Sequence, residues 1–78
     1  MTEFSVTQFF EDGSYETERT NVKAREAFET FLRYAQSVGA QMGTTVRVII
    51  TDGGDCIVAE WQYGQGIIYP PKKESTNG

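Results

Sequence analysis

The sequence predicts an α+β domain of order β-β-α-β-β-β, in which one antiparallel sheet carries a single helix on one face. Asp- and Gly-containing turn signals separate stretches rich in aromatic and β-branched residues, and one central stretch has apolar residues at helical spacing. The 78 residues leave room for one small domain. We expect this domain to span residues 1–71 and the polar residues 72–78 to form a disordered tail.

The first two strands are predicted over residues 4–10 and 15–20. Asp12-Gly13 between them favours a two-residue turn in which both central residues have a positive φ. Pairing outward from this turn sets Phe10 opposite Tyr15 and Thr7 opposite Glu18, so alternate residues fall on opposite faces. The helix side is expected to carry Phe4, Val6, Phe10 and Tyr15. The outer face is expected to carry Glu3, Ser5, Thr7, Phe9, Glu11, Glu16 and Glu18.

A helix follows, with Asn21 or Thr20 as the N-cap. Apolar residues recur at spacings of three and four and indicate the buried stripe, which consists of Ala24, Phe28, Phe31, Ala35 and Val38. Glu29 and Arg33 are spaced for a favourable ion pair. Gly39 and Gly43 are both plausible residues just beyond the C-terminus, and we expect the helix to end between them.

Three further strands are predicted over residues 45–51, 56–63 and 67–69, with a Gly-containing turn before each of the last two and Pro70-Pro71 as the stop. Pairing outward from Gly53-Gly54 sets Ile50 opposite Ile57 and Arg47 opposite Glu60. The helix side is then expected to carry Val46, Val48, Ile50, Ile57, Ala59, Trp61, Tyr63 and Ile68. The outer face is expected to carry Ile49, Cys56, Val58, Ile67 and Tyr69, beside Arg47 and Glu60. The sequence leaves the order of the strands open.

The apolar residues expected on the outer face are unusual, because an outer sheet face normally alternates to polar residues. A contiguous patch of this kind is typical of a site for a partner. Three alternatives remain open: the C-terminal tail covers the patch, the strand register differs, or the β-branched residues serve strand propensity alone.

Charge is distributed unevenly. The net charge is −4; residues 1–18 contain five carboxylates and no Lys or Arg, whereas residues 19–78 contain seven Lys or Arg and six carboxylates. This acidic hairpin could steer association with a basic partner or enter a groove built for phosphates; alternatively, its charges only solvate the surface and protect the sheet edge. The balance argues against direct nucleic-acid binding, and we expect no membrane span.

Catalysis finds little support in the sequence. The chain has no His and a single cysteine, Cys56, which has no evident activator and fits a reducing compartment such as the cytoplasm. One Cys without His cannot supply a zinc site. The segment from Asp52 to Asp55, with Glu60 beyond it, lacks the frame of a calcium loop and is predicted to be a turn. We therefore expect a non-enzymatic protein with no cofactor and no metal.

The last third of the chain resembles the C-terminal block of short, uncharacterised proteins of bacteria, phages and prophages. The matching residues are the segment from Ile50 to Cys56, Glu60-Trp61, Tyr63-Gly64 and the segment from Ile67 to Pro70. In size, acidity and build the whole chain is similar to anti-CRISPR proteins, the small phage-encoded inhibitors of CRISPR effector complexes. That resemblance implies a cofactor-free blocker, in which Glu3, Glu11, Asp12, Glu16 and Glu18 are candidates for imitating phosphate charge.

These observations predict a binding protein that blocks a basic or nucleic-acid-handling complex of a host cell, in the cytoplasm, through the acidic hairpin and the outer sheet face. The predicted partner-binding residues are Glu3, Phe9, Glu11, Asp12, Glu16, Glu18, Arg47, Ile49, Val58, Glu60, Ile67 and Tyr69. One alternative is a homodimer joined through two outer faces. Another is a small-ligand binder or enzyme that uses Asp52, Asp55, Cys56 and Glu60.

Overall fold

The computed structural model of the chain describes residues 3–70, so the tail predicted over residues 72–78 lies outside the described residues. The predicted α+β class is confirmed, with a second short helix added. The elements in chain order are β1 Phe4–Phe10, β2 Tyr15–Val22, α1 Ala24–Ala35, α2 Val38–Met42, β3 Thr45–Thr51, β4 Ile57–Gln62 and β5 Gly66–Tyr69.

The strands form one antiparallel sheet in the order β2-β1-β3-β4-β5. The pairing of β1 with β3 decides this order, because it joins the first hairpin to the later strands. The helix α1 packs mainly against β1, β2 and β3. A helix about 10 Å wide covers about two strands at their spacing of about 4.8 Å. The helix side of β4 and β5 is therefore left largely uncovered by α1.

The core lies where α1 crosses the centre of the sheet. Phe31 is the largest fully buried side chain, and two more fully buried side chains, Val6 from β1 and Val48 from β3, belong to the same cluster. Ala27, Ile50 and Ala59 complete the cluster of buried residues. Because Phe31 shares this cluster with Val6 and Val48, it joins α1 to both β1 and β3.

The predicted N-cap and helix end are both wrong. Strand β2 continues to Val22, Asn21 takes a positive φ of 57° within it, and Lys23 caps α1 without a side-chain hydrogen bond. The helix stops at Ala35, and Ser37 is the N-cap of α2: its hydroxyl donates to the Tyr34 carbonyl at 2.7 Å and accepts from the Ala40 N–H at 3.1 Å.

The break changes the buried stripe. Phe31 of the predicted stripe is buried, and so is Ala27 beside the stripe. Two other members of the stripe are exposed, Phe28 by 48 % and Val38 by 74 %. Since α2 is a separate helix that begins at Val38, this residue does not continue the face that α1 presents to the sheet. Thr30 takes the third buried position of α1 instead. Within residues 3–70, Glu29 and Arg33 do not form the predicted ion pair.

The predicted register of the first hairpin is also wrong, by one residue. Its loop has three residues, Glu11 to Gly13, closed by a hydrogen bond from the Phe10 N–H to the Ser14 carbonyl at 2.8 Å, and of Asp12 and Gly13 only Gly13 takes a positive φ. Phe9 therefore lies opposite Tyr15. A slip of one residue exchanges the faces of a strand, so Tyr15 lies on the outer side and Glu16 on the helix side.

The register of β3 and β4 differs from the prediction by two residues, which preserves the faces of most of the strand. Arg47 pairs with Gln62 and Ile50 pairs with Ala59, but the next pair is Thr51 with Ile57, so a bulge sits at Val58. The bulge turns Val58 toward the helix side, where it packs against the core. The predicted placement of Val58 on the outer face is wrong for this reason.

Gly43 provides a test of the fold. It ends α2 with φ 89°, and a Cβ added there would lie 3.2 Å from the ring of Tyr63. We expect Gly43→Ala to lower the free energy of unfolding by about 1–3 kcal/mol, because the left-handed conformation and the ring contact both oppose a side chain. Urea denaturation measures the change. Gly53→Ala is the matched control and should be near neutral, since an added Cβ there has no atom within 4 Å.

Candidate functional site

The outer face of the sheet carries a continuous line of aromatic and charged side chains, which we call the outer row: Tyr15, Phe9, Arg47, Glu60 and Tyr69. The strand pairing aligns them. Phe9 lies opposite Tyr15 on one side and Arg47 on the other, and Glu60 lies opposite Tyr69. The row therefore crosses all five strands. Phe9, Arg47, Glu60 and Tyr69 were predicted site residues; Tyr15 was assigned to the other face.

Contacts between neighbours hold four members of this row in place, from Tyr15 to Glu60. The rings of Phe9 and Tyr15 are 5.5 Å apart at an angle of 45°. The guanidinium carbon of Arg47 lies 5.0 Å from the ring centre of Phe9, a cation–π contact. The Arg47 Nε donates to the Glu60 Oε2 at 2.6 Å, and Gln62 Nε2 donates to the same oxygen at 3.0 Å. The charged groups are thus oriented by same-chain contacts.

Glu60 is held in its charged form. Burial by itself would raise the pKa of this carboxyl group, but hydrogen bonds from Arg47 and Gln62 and the positive charge of Arg47 outweigh it and lower the pKa. The side chain of Glu60 is 12 % exposed, and that of Arg47 is 34 % exposed. The row therefore presents a neutralised ion pair between two exposed tyrosines, Tyr15 and Tyr69.

The predicted apolar patch on the outer face is not formed. Ile49 points outward, but only 8 % of it is exposed, and it lies between Thr7 and Glu60. Val58 packs against the core on the other side. Ile67 lies opposite Trp61, which also packs against the core, and Ile68 is the extra residue of a bulge in β5. These shifts separate Ile49 from Val58 and Ile67, and Cys56 lies in the preceding turn.

Exposed apolar surface lies instead on the helix side, beside α1. Phe28 is 48 % exposed and Ile67 is 47 % exposed. A cavity of about 300 Å³ lies between the start of α1 and the sheet, lined by Phe4, Ala24, Ala27, Phe28, Ile50 and Val58. This apolar surface is exposed because a single helix is too narrow to cover a sheet of five strands.

The carboxylates of the first hairpin do not share one face. Glu3, Glu11 and Asp12 are exposed, and hydrogen bonds from Ser14 lower the pKa of Asp12. Glu16 and Glu18 lie together on the helix side, where a hydrogen bond and the charge of Glu18 raise the pKa of Glu16. The one-residue slip in register places both of them on the helix side, so the predicted outer position of both is wrong.

Glu18 belongs to a polar network that the sequence analysis missed. Gln8 Nε2 donates to Glu18 Oε2 at 2.7 Å, the Tyr34 hydroxyl donates to Glu18 Oε1 at 3.2 Å, and the Thr45 hydroxyl donates to Gln8 Oε1 at 2.8 Å. Gln8 and Thr45 are buried. Burial and the nearby charge of Glu18 raise the pKa of Tyr34. Gln8 occupies an inward position between Val6 and Phe10. A polar residue at an inward position of an otherwise apolar alternation was the feature of the sequence that could have indicated this buried network.

The Asp residues of the turn between β3 and β4 have structural roles. The Asp52 Oδ1 accepts the N–H groups of Gly54 at 2.8 Å and Cys56 at 3.0 Å, and Asp55 takes a positive φ of 64°. Cys56 itself is exposed. Over residues 3–70, the structure contains no group of three His, Cys, Asp or Glu side chains arranged to hold a metal ion. Neither helix within that range has the length and apolar character needed to cross a membrane.

The ion pair of the outer row predicts a pH dependence. The pKa of Glu60 is lower in the folded chain than its ordinary value of 4.5, so its stabilising contribution is present above that value and is lost as the pH falls through the folded-state pKa. We expect Glu60→Gln to destabilise the chain by about 1–3 kcal/mol at pH 7. The difference from the parent chain should shrink on acidification below pH 4.5. Urea denaturation between pH 7 and pH 3 measures this, and a difference independent of pH would contradict it.

No protein-family model, curated protein or solved structure is similar enough to this chain to count as a match.

Proposed function

We propose that the chain is a non-enzymatic binding protein that inhibits a basic, nucleic-acid-handling complex of a host cell. In the form favoured by its resemblance to anti-CRISPR proteins, it is phage-encoded, acts in the host cytoplasm and occupies a surface that a CRISPR-type complex needs for nucleic acid. The observation that carries the proposal is the outer row, a face prepared for contact by fixed aromatic and charged side chains.

The residue types of the outer row support contact with a protein. Tyrosine and arginine are enriched at the energetic centres of protein interfaces, where they contribute large contact areas and directional hydrogen bonds. Tyr15 is 66 % exposed and Tyr69 is 46 % exposed. Since Arg47 is already held by Phe9 and Glu60, its ordering on binding would cost little conformational entropy. The face is therefore suited to a flat, preformed contact.

The acidic hairpin supplies attraction at a distance. Glu11 and Asp12 are exposed at the tip of the hairpin, and Tyr15 of the outer row follows directly after this turn. A basic surface that normally holds nucleic acid would be drawn to these carboxylates, and the attraction should weaken as salt is added. The tip would steer the encounter, and the outer row would form the contact. In this proposal the outer row forms the contact that the sequence analysis had assigned to an apolar patch.

An infection assay tests the proposal. A cell with an active CRISPR system that targets a phage is infected with and without expression of the chain, across a panel of CRISPR types. The expected result is restored plaque formation for at least one type. With the purified effector complex of that type, the chain should prevent binding of target DNA in a gel-shift assay. If no type is inhibited and no effector complex binds the chain, the CRISPR-type function is wrong.

Variants of the outer row and of the tip then separate the two roles. We expect Tyr69→Ala to weaken binding of the effector complex by about tenfold, mainly through faster dissociation. Glu11→Gln and Glu11→Lys should slow association in proportion to the charge removed, and this effect should disappear at high salt. Gln41→Ala, on the exposed side of α2, is the matched control and should bind as the parent chain does. Association rates independent of salt would contradict the steering role.

A further inference from the structure

An open groove between α1 and the end of β2 brings together most of the positive charge of the described residues. Four of their five Lys and Arg side chains line it, all except Arg47. Its volume is about 500 Å³, within the range of small-ligand sites. The residues that line it are Arg19, Lys23, Arg25, Glu26, Glu29, Thr30 and Arg33.

This clustering of positive side chains is unexpected in a chain with a net charge of −4. The lining contains four cations and two carboxylates, so the groove is positive while the first hairpin is negative. One carboxylate, Glu26, faces Arg19 with 3.6 Å between the Glu26 Oε2 and the Arg19 Nε. The Arg19 Nη1 also donates to the Glu18 carbonyl at 2.7 Å. Arg19 is thus oriented from two sides, and its second terminal nitrogen stays available for a ligand.

The backbone adds donors to the same place. The groove includes Lys23, Arg25 and Glu26 at the start of α1, a helix of 12 residues. Lys23 makes no capping hydrogen bond with its side chain, and the first helical bond runs from the Ala27 N–H to the Lys23 carbonyl. The N–H groups of the first turn are therefore without side-chain acceptors, and this end of a helix attracts anions.

Thr30 provides independent evidence of a ligand. It lines the groove, only 3 % of it is exposed, and among the described residues its hydroxyl has no hydrogen-bond partner. A threonine hydroxyl within a helix can donate a hydrogen bond to a carbonyl oxygen one turn earlier, and buried polar groups nearly always have a partner. A buried threonine without either is therefore unusual. A hydroxyl that is buried and unpartnered beneath four cations is a donor suited to an anionic ligand.

We propose that this groove binds an oxyanion of the phosphate or pyrophosphate class. Arg19, Lys23 and Arg25 would hold the charge, the Thr30 hydroxyl would donate one hydrogen bond, and Arg33 would contact the far end. Arginine suits this ligand because its planar donors match phosphate oxygens in pairs. Glu29 would act against binding, since its carboxylate adds negative charge to the same groove. The proposal is independent of the outer row, because it uses none of those residues.

Titration with inorganic pyrophosphate at constant ionic strength, followed by NMR of the backbone amides, tests this site. The expected result is a saturable shift of signals from residues 19–33, with little change around Arg47. Sodium perchlorate at the same ionic strength should move these signals less, because a monoanion cannot engage several cations in the same way. Shifts that do not saturate, or that are equally large around Arg47, would show an adventitious ion only and would overturn the proposal.

Three variants should change the affinity for pyrophosphate in ways that general charge screening would not produce. We expect the double variant Arg19→Gln, Lys23→Gln to weaken pyrophosphate binding at least about tenfold. Thr30→Val conserves shape and should keep the stability of the chain while weakening binding about threefold or more. Glu29→Gln should tighten binding about twofold or more, because it removes a repulsive charge. If Thr30→Val binds as the parent chain does and Glu29→Gln does not tighten binding, the groove is not the site.

Discussion

The packing of Phe31 against β1 and β3 is the interaction on which the rest of the structure depends. A chain of 78 residues forms only a small core, and the largest fully buried side chain is this phenylalanine. Its cluster joins Val6 of β1 to Val48 of β3, the two strands whose pairing connects the hairpin to the rest of the sheet. Packing on one side of that pairing leaves the opposite side free for the outer row.

Irregular pairing determines what each face carries. All four strand pairs contain at least one register shift, and each extra residue changes the alternation beyond it. One such shift turns Val58 toward the core, whereas the three-residue loop of the first hairpin places Glu18 beside Gln8, Tyr34 and Thr45 in a polar network. The outer row then contains aromatic and charged side chains, and the apolar surface is moved beside the helix. Both edges of the sheet, β2 and β5, are among the strands that carry these shifts.

The charges are separated along β2. The acidic tip of Glu11 and Asp12 precedes this strand, and the cations Arg19 and Lys23 lie near its other end. An extended strand rises about 3.3 Å per residue, so a strand of eight residues keeps the two regions about 25 Å apart. That distance exceeds the screening length of about 8 Å in physiological salt. The tip and the groove can therefore act on different partners, one basic and one anionic.

Local patterns in the sequence determined the class of fold. Alternating apolar residues, two hairpin signals and one helical stripe are local properties of the sequence, and they predicted five strands with boundaries close to those observed and one helix whose N-cap and end differ. The first strand and the third strand agree with the prediction at both ends. The break at Ser37 depends on its hydroxyl bonds to Tyr34 and Ala40, which the apolar spacing alone did not indicate.

Four of the five residues of the outer row could be predicted in the same way. Phe9, Arg47, Glu60 and Tyr69 keep the face that alternation predicts, although their partners differ. Tyr15, Val58, Glu16 and Glu18 change face because one loop has three residues and because bulges enter the strands. Several turn lengths are compatible with Asp12-Gly13, and the choice among them depends on how the whole strand packs against β3 and α1. The sequence therefore determined which elements form, and tertiary packing decided the register, the strand order and the residues that meet on each surface.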